Sequence, residues 1–248
     1  MQISEGELRS MTGDLEEVHQ ASLAPLGNAV AEWVDLNRST TRRRFLLGAA
    51  ATGAGAVLVA CGDEKKTVRP TTETTVGATG SLSGDLRIAA LAASLENLAI
   101  GTYQAALDAT AANKLGGVPP AVVTFVETAK RHHGEHAAAW NAILTSAGKT
   151  RVTEPDQAIK GQIDGAFAQV RDFAGLARLA LGLENVAAAT YLDGIGVIQN
   201  NQALKTAASI HPVELQHAAI LNFVLGNYPV PDAFAKTEGA RPPTDYPG

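Results

Sequence analysis

Two nine-residue strings constrain the fold most: LENLAIGTY at Leu95 to Tyr103 and LENVAAATY at Leu183 to Tyr191. They agree at six of nine positions and stand 88 residues apart. Each sets one glutamate, Glu96 or Glu184, in an otherwise apolar run. A buried carboxylate is costly unless its charge is compensated, so a single case would read as a surface residue. The same glutamate repeated with its neighbours predicts duplicated helix pairs that deliver two carboxylates to one interior point.

Histidine-bearing segments follow both copies, RHHGEHAAAWNAIL from Arg131 and HPVELQHAAILNFVL from His211. Aligned on His136 and His217, they give His133-x-x-His136 and Glu214-x-x-His217. The order is glutamate helix, histidine helix, twice over. Helices are expected near 85–113, 119–146, 170–198 and 202–225, with a short one near 157–167 inside a longer connection. Ser83 or Asp85 is a candidate cap for the first. Gly148 and Gly226 are stops, and Pro212 predicts a kink or restart in the last helix. No β-alternation competes. The fold class is therefore all-α: a four-helix bundle over 85–228, made of two repeated helix pairs with a longer second-to-third crossover. An irregular, Pro-rich tail follows over 229–248.

Helical phase places the candidate residues inward. Ala89, Ala92, Glu96, Ala99, Tyr103 and Leu107 form one stripe. Phe173, Ala177, Ala180, Glu184, Ala187, Tyr191 and Ile195 form its counterpart. His133 and His136 share a stripe with Val126, Ala129 and Trp140, the last read as a core filler. Glu214 and His217 share one with Ile210 and Leu221. Glu135 falls on the solvent side, and Glu127 reads as the ion-pair partner of Arg131 four residues on. His132 borders the inward face, with either a role beside the ligands or none. Tyr103 and Tyr191 stand two turns beyond their glutamates, as ligand hydrogen-bond donors, redox carriers or core aromatics. Asn97 and Asn185 reflect the duplication and helix packing.

Residues at i and i+3 share a face, about 5–6 Å apart at Cβ, so each histidine helix can bring two groups to one metal. Two single glutamates and two such pairs make a six-ligand cluster: Glu96, His133, His136, Glu184, Glu214 and His217. This follows the pattern of di-iron and di-manganese carboxylate bundles. Carboxylate and imidazole suit Fe, Mn or Zn. Cys61 is the one cysteine, so no thiolate cluster and no internal disulfide is available. The competing reading is a metal-free network of buried ion pairs and hydrogen bonds.

The first sixty residues read as an address. Thr41-Arg42-Arg43-Arg44-Phe45-Leu46-Leu47 has the paired arginines of a twin-arginine export signal. The apolar stretch from Phe45 to Ala60 is short for a permanent span, which needs about 20 residues. It ends in Leu58-Val59-Ala60-Cys61, which resembles a lipobox whose cysteine is lipidated and becomes the new amino terminus. Residues 1–60 are then a cytoplasmic extension plus signal, or translation starts at Met11 or later. Residues 61–84, rich in Thr, Gly and charge, form a flexible tether. The expected location is the outer face of the cytoplasmic membrane, held by lipid on Cys61, with the twin-arginine machinery as export partner. That route passes folded proteins, so metal loading before export is compatible with it. The formal net charge of −5 carries no basic patch for nucleic acid. A homo-oligomer is compatible with the sequence.

The repeat, the Glu214-x-x-His217 motif and the element order resemble the ferritin-like superfamily over Leu86 to Leu225. More narrowly, the chain is similar to the exported bacterial ferritin-like family that includes desiccation-related proteins. The resemblance implies Fe or Mn, dinuclear or mononuclear, and di-metal oxidase, peroxidase or ferroxidase-like chemistry in oxidative-stress defence. Glu96 and Glu184 would be terminal ligands, and Glu214 would bridge or chelate. His133 departs from the family pattern, which has glutamate there. Three carboxylates against two divalent ions leave a formal +1, and imidazole does not bridge as carboxylate does. An asymmetric pair, a single metal and a degenerate site all remain open. The degenerate case is a metal-free envelope bundle serving stability or partner binding. A closed iron-storage shell fits poorly with a lipid tether and long tail.

Overall fold

The computed structural model describes residues 4–21 and 82–246. The arginine triplet, the stretch 45–60, Cys61 and the tether up to Ser81 lie outside the described residues. Those described are all helix and irregular chain, with no strand among them. Helix α1 covers 5–21. It is followed by α2 (Asp85–Ala111), α3 (Pro120–Ser146), α4 (Gln157–Ala168), α5 (Phe173–Ile195) and α6 (Asn201–Val224). The tail is irregular apart from a 3₁₀ turn at Pro243–Asp245. No described helix is long and apolar enough to cross a membrane.

Local chemistry explains most boundaries. Asp156 caps α4 by accepting from the Ala158 amide at 2.8 Å. Asp172 caps α5 through the Gly175 amide at 2.7 Å. Asn200 accepts from Gln202 and Ala203 at the start of α6. Pro120 opens α3, where its missing amide costs nothing. Gly148 stops α3 and Gly226 follows α6, each at a positive φ that suits glycine. The first bundle helix differs from expectation. Its cap position is Gly84, without a side-chain hydrogen bond. Asp85 instead accepts from the Gln199 and Asn200 amides, tying the start of α2 to the α5–α6 turn. Pro212 does not restart the last helix, since α6 continues through it as one element.

α2 packs chiefly on α3, and α5 on α6. Two apolar clusters fill the bundle. One joins the second half of α2, the first half of α3, the first half of α5 and the end of α6, around Phe125, Val126, Leu176 and Leu221. The other joins the first half of α2, the end of α3, Tyr191 of α5 and the start of α6, around Leu144, Trp140 and Ile210. Adjacent helices therefore run antiparallel. Glu96, His133, Glu184 and Glu214 fall between the two clusters on all four helices. The crossover from α3 to α4 is fastened by Asn141, which bonds both the amide and carbonyl of Val152. Asn97 also donates to Val152 O, at 3.0 Å, whereas Asn185 is exposed.

Residues 5–21, read from sequence as an address, form a helix against this bundle. Leu8 and Leu15 are buried in the Phe125 cluster, and Met11 packs beside it. Together with Thr12 and His19 they make a stripe at steps of three and four.

Replacing Asp85 with alanine removes a charged acceptor from two amides, and a loss of about 1–2 kcal/mol is expected. A lower urea midpoint at unchanged slope is the measurement. An unchanged midpoint would show that the α2 to α6 tie contributes nothing.

Candidate metal centre

All six predicted ligands converge. Glu96 arrives on α2, His133 and His136 on α3, Glu184 on α5, and Glu214 and His217 on α6. None exceeds 2% exposure. They form two overlapping quartets: Glu96, His133, His136 and Glu214; and His133, Glu184, Glu214 and His217. Within each quartet, one donor atom per residue lies within 4.8 Å of the others. His133 and Glu214 belong to both and occupy the middle. That is the position where the sequence departs from a four-carboxylate pattern.

His133 spans the two repeats. Its Nδ1 lies 2.7 Å from Glu96 Oε2 and its Nε2 3.2 Å from Glu184 Oε1. His217 Nδ1 lies 3.3 Å from both Glu184 Oε2 and Glu214 Oε2. His136 Nδ1 is 2.9 Å from Glu214 Oε1 and 3.6 Å from Glu96 Oε2. Those short distances do not make hydrogen bonds for His136. Both its ring nitrogens, and Glu214 Oε1, are buried without a hydrogen-bond partner.

The tyrosines are exchanged between repeats. Tyr103, on the helix of Glu96, donates to Glu184. Tyr191, on the helix of Glu184, donates to Glu96. Trp140 Nε1 donates to Tyr191 Oη at 2.8 Å, so it is more than a core filler. His132 also has a definite place, with Nδ1 3.1 Å from His217 Nε2.

Electrostatics follow from burial and contacts. Burial alone would lower the His136 pKa, but the Glu96 charge and the nearby Glu214 carboxylate outweigh it, raising it to about 9. His133 is likewise raised against burial by Glu184 and Glu214, and His217 by Glu184. Burial would raise Glu96, but the His136 charge and the bond to His133 hold it down at about 2. Glu184 is lowered against burial by His217 and His133. Burial raises both tyrosines, and the carboxylates they bind add to it. His132 lacks this compensation. Burial and the neighbouring His217 lower it strongly, which keeps it neutral.

An apolar pocket between α2 and α5 reaches Glu96, His133 and Glu184. Ala92, Leu95, Ala99, Leu183 and Ala187 are among its lining residues. Arg241 of the tail is also in its wall, held by Asp156 at 3.3 Å and Asp245 at 2.8 Å.

Two surface assignments need correction. Glu127 is exposed, and Arg131 pairs with Glu135 at 2.9 Å and with Glu16 rather than with Glu127. Glu135 is partly buried and meets His19 Nε2 at 3.0 Å. Sequence reading missed Glu16 and His19 as neighbours of the centre. The signal that would have found them is the 8-11-12-15-19 stripe, which was read as part of an address.

The family described as ferritin-like domain matches residues 84–227. No curated protein and no solved structure matches the chain.

The contribution of the Glu96 and His136 charges to the stability of the metal-free protein should be greatest between about pH 4.5 and 6.5. The stabilisation from protonated His136, raised from 6.5, is lost as pH rises through about 9. That from ionised Glu96, lowered from 4.5, is lost as pH falls through about 2. Thermal melting across this range in chelator checks it. A melting temperature that climbs steadily from pH 6.5 to 9 would be the wrong sign.

Proposed function

This chain belongs to the ferritin-like domain family, and on that premise we propose that it binds Fe or Mn between its helices and works in oxidative-stress defence. The observation that carries the metal reading is the unsatisfied pair at the centre. A metal-free polar core is stable when each member finds a partner. His136 Nε2 is buried without a partner, and His136 Nδ1 and Glu214 Oε1, an ion pair at 2.9 Å, are not aligned as a hydrogen bond. A cation would satisfy both residues, and a donor set of three carboxylates and three imidazoles suits Fe or Mn.

Glu96 and Glu184 would hold the metal from opposite repeats, with Tyr103 and Tyr191 fixing their carboxylate planes. Glu214 would chelate or bridge, and His133, His136 and His217 would supply nitrogen. A bound redox metal would supply one-electron exchange with oxygen or peroxide. The residues' own part is to shape the site and exclude bulk water from it. The apolar pocket that ends on Glu96 and Glu184 supports access for a small oxidant between α2 and α5.

The address motifs support export by the twin-arginine route and lipid anchoring at Cys61, on the outer face of the membrane. A second reading, a metal-free envelope bundle, draws support from His133. Its two nitrogens already link Glu96 to Glu184, and three protonated imidazoles would balance three carboxylates.

Metal content separates the readings. Protein recovered from its native export route should carry Fe or Mn by elemental analysis, and Glu214→Ala and Glu214→Gln should both lose it. Unchanged metal in these variants, or none in the parent, would remove the proposal. Uptake should also release protons, because the raised histidines must deprotonate before they ligate. Titration of metal into weakly buffered protein near neutral pH should acidify it, and apparent affinity should rise with pH. An uptake without proton release would contradict the ligand assignment.

A further inference from the structure

The amino-terminal helix stands directly over the histidine side of the centre. His19 of α1 stacks on His132 with ring centroids 3.6 Å apart, and meets the edge of His136 at 5.1 Å. Glu16 reaches both His132 Nε2, at 3.2 Å, and Arg131. His19 reaches Glu135, which Arg131 also holds. Leu8 and Leu15 anchor the helix in the Phe125 cluster. His19 and His132 are both fully buried in this arrangement.

A carboxylate only accepts, so His132 Nε2 donates to Glu16. His132 Nδ1 meets His217 Nε2 at 3.1 Å, so α1 is joined through His132 to a residue of the centre.

Helix α1 also lies upstream of the Leu58-Val59-Ala60-Cys61 string. Hydrolysis of the Ala60–Cys61 peptide bond by water would leave a carboxylate on Ala60, an amine on Cys61, and α1 on the discarded side. We propose that α1 is a precursor-only cover of the centre: it shields His132, and maturation at Cys61 opens that face. The maturation half rests on the export reading above, while the cover itself is a property of the full chain.

The test uses the full 248-residue chain, with Leu8→Asp and Leu15→Asp together to undock α1. Reaction of His132 with diethylpyrocarbonate, followed by peptide mass, should accelerate by on the order of tenfold or more as the covered state is depopulated. Bundle helicity should persist by circular dichroism, and the rate of Co(II) uptake should rise. Equal His132 reactivity in parent and variant would overturn the cover. If the variant does not fold, the parent is cut by protease between residues 22 and 60. Release of the 1–21 fragment with a rise in His132 reactivity then supports the cover. Release without that rise, or a fragment that stays bound under dilution, overturns it. Absent Co(II) uptake in both forms would count against the metal reading and leave His132 reactivity to decide the cover. An amino terminus other than Cys61 in exported protein would remove the maturation half alone.

Discussion

Burying three carboxylates and three imidazoles in one layer is possible only where each is offset by the others or by a cation. The rest of the architecture depends on that constraint. The layer lies midway along the bundle, with an apolar cluster on each side, so its members are remote from bulk water. Removing one charge would leave its neighbours uncompensated in a low-dielectric interior. The helices can therefore neither slide nor rotate independently at this level. The layer fixes the register of four helices that alanine-rich packing alone would hold loosely.

The duplication gives this layer its order. Each repeat supplies a glutamate and a tyrosine two turns on, and each tyrosine serves the glutamate of the other repeat. The crossing lets one sequence pattern, used twice, build a site with approximate two-fold character. Two features break that symmetry. His133 replaces the carboxylate expected opposite Glu214 and links Glu96 to Glu184 with its own nitrogens. Helix α1 covers the His132 side alone, while the apolar pocket lies toward α2 and α5. An asymmetric centre, with α1 against one side and an apolar pocket on the other, is the physical consequence.

Much of this was legible in the chain. Glu96 and Glu184 declared themselves by repetition in context, and His136 and His217 by their alignment. Helical phase then sufficed to turn all six groups inward, because an unbroken helix carries phase over a whole segment. What was not legible were long-range partners. That Tyr103 reaches Glu184 rather than Glu96 depends on how two helices face each other, which no single helix encodes. Asp85 looked like a local cap but bonds amides over a hundred residues away. Arg131 chose Glu135 and Glu16 over Glu127, since i and i+4 spacing allows both local pairs and α1 decides between them. The α1 stripe was visible at 8, 11, 12, 15 and 19, but the arginines downstream assigned the whole region to targeting. A segment can carry an address and still pack.

Anomalous diffraction at the Fe and Mn edges, from crystals of protein purified without chelator, tests the central claim most directly. The account predicts a peak within one or both of the quartets that share His133 and Glu214, with ligand distances of roughly 2.0–2.3 Å as for first-row metals bound by nitrogen and oxygen. A featureless anomalous map, with His136 instead hydrogen-bonded to Glu214 or to ordered water, would contradict it.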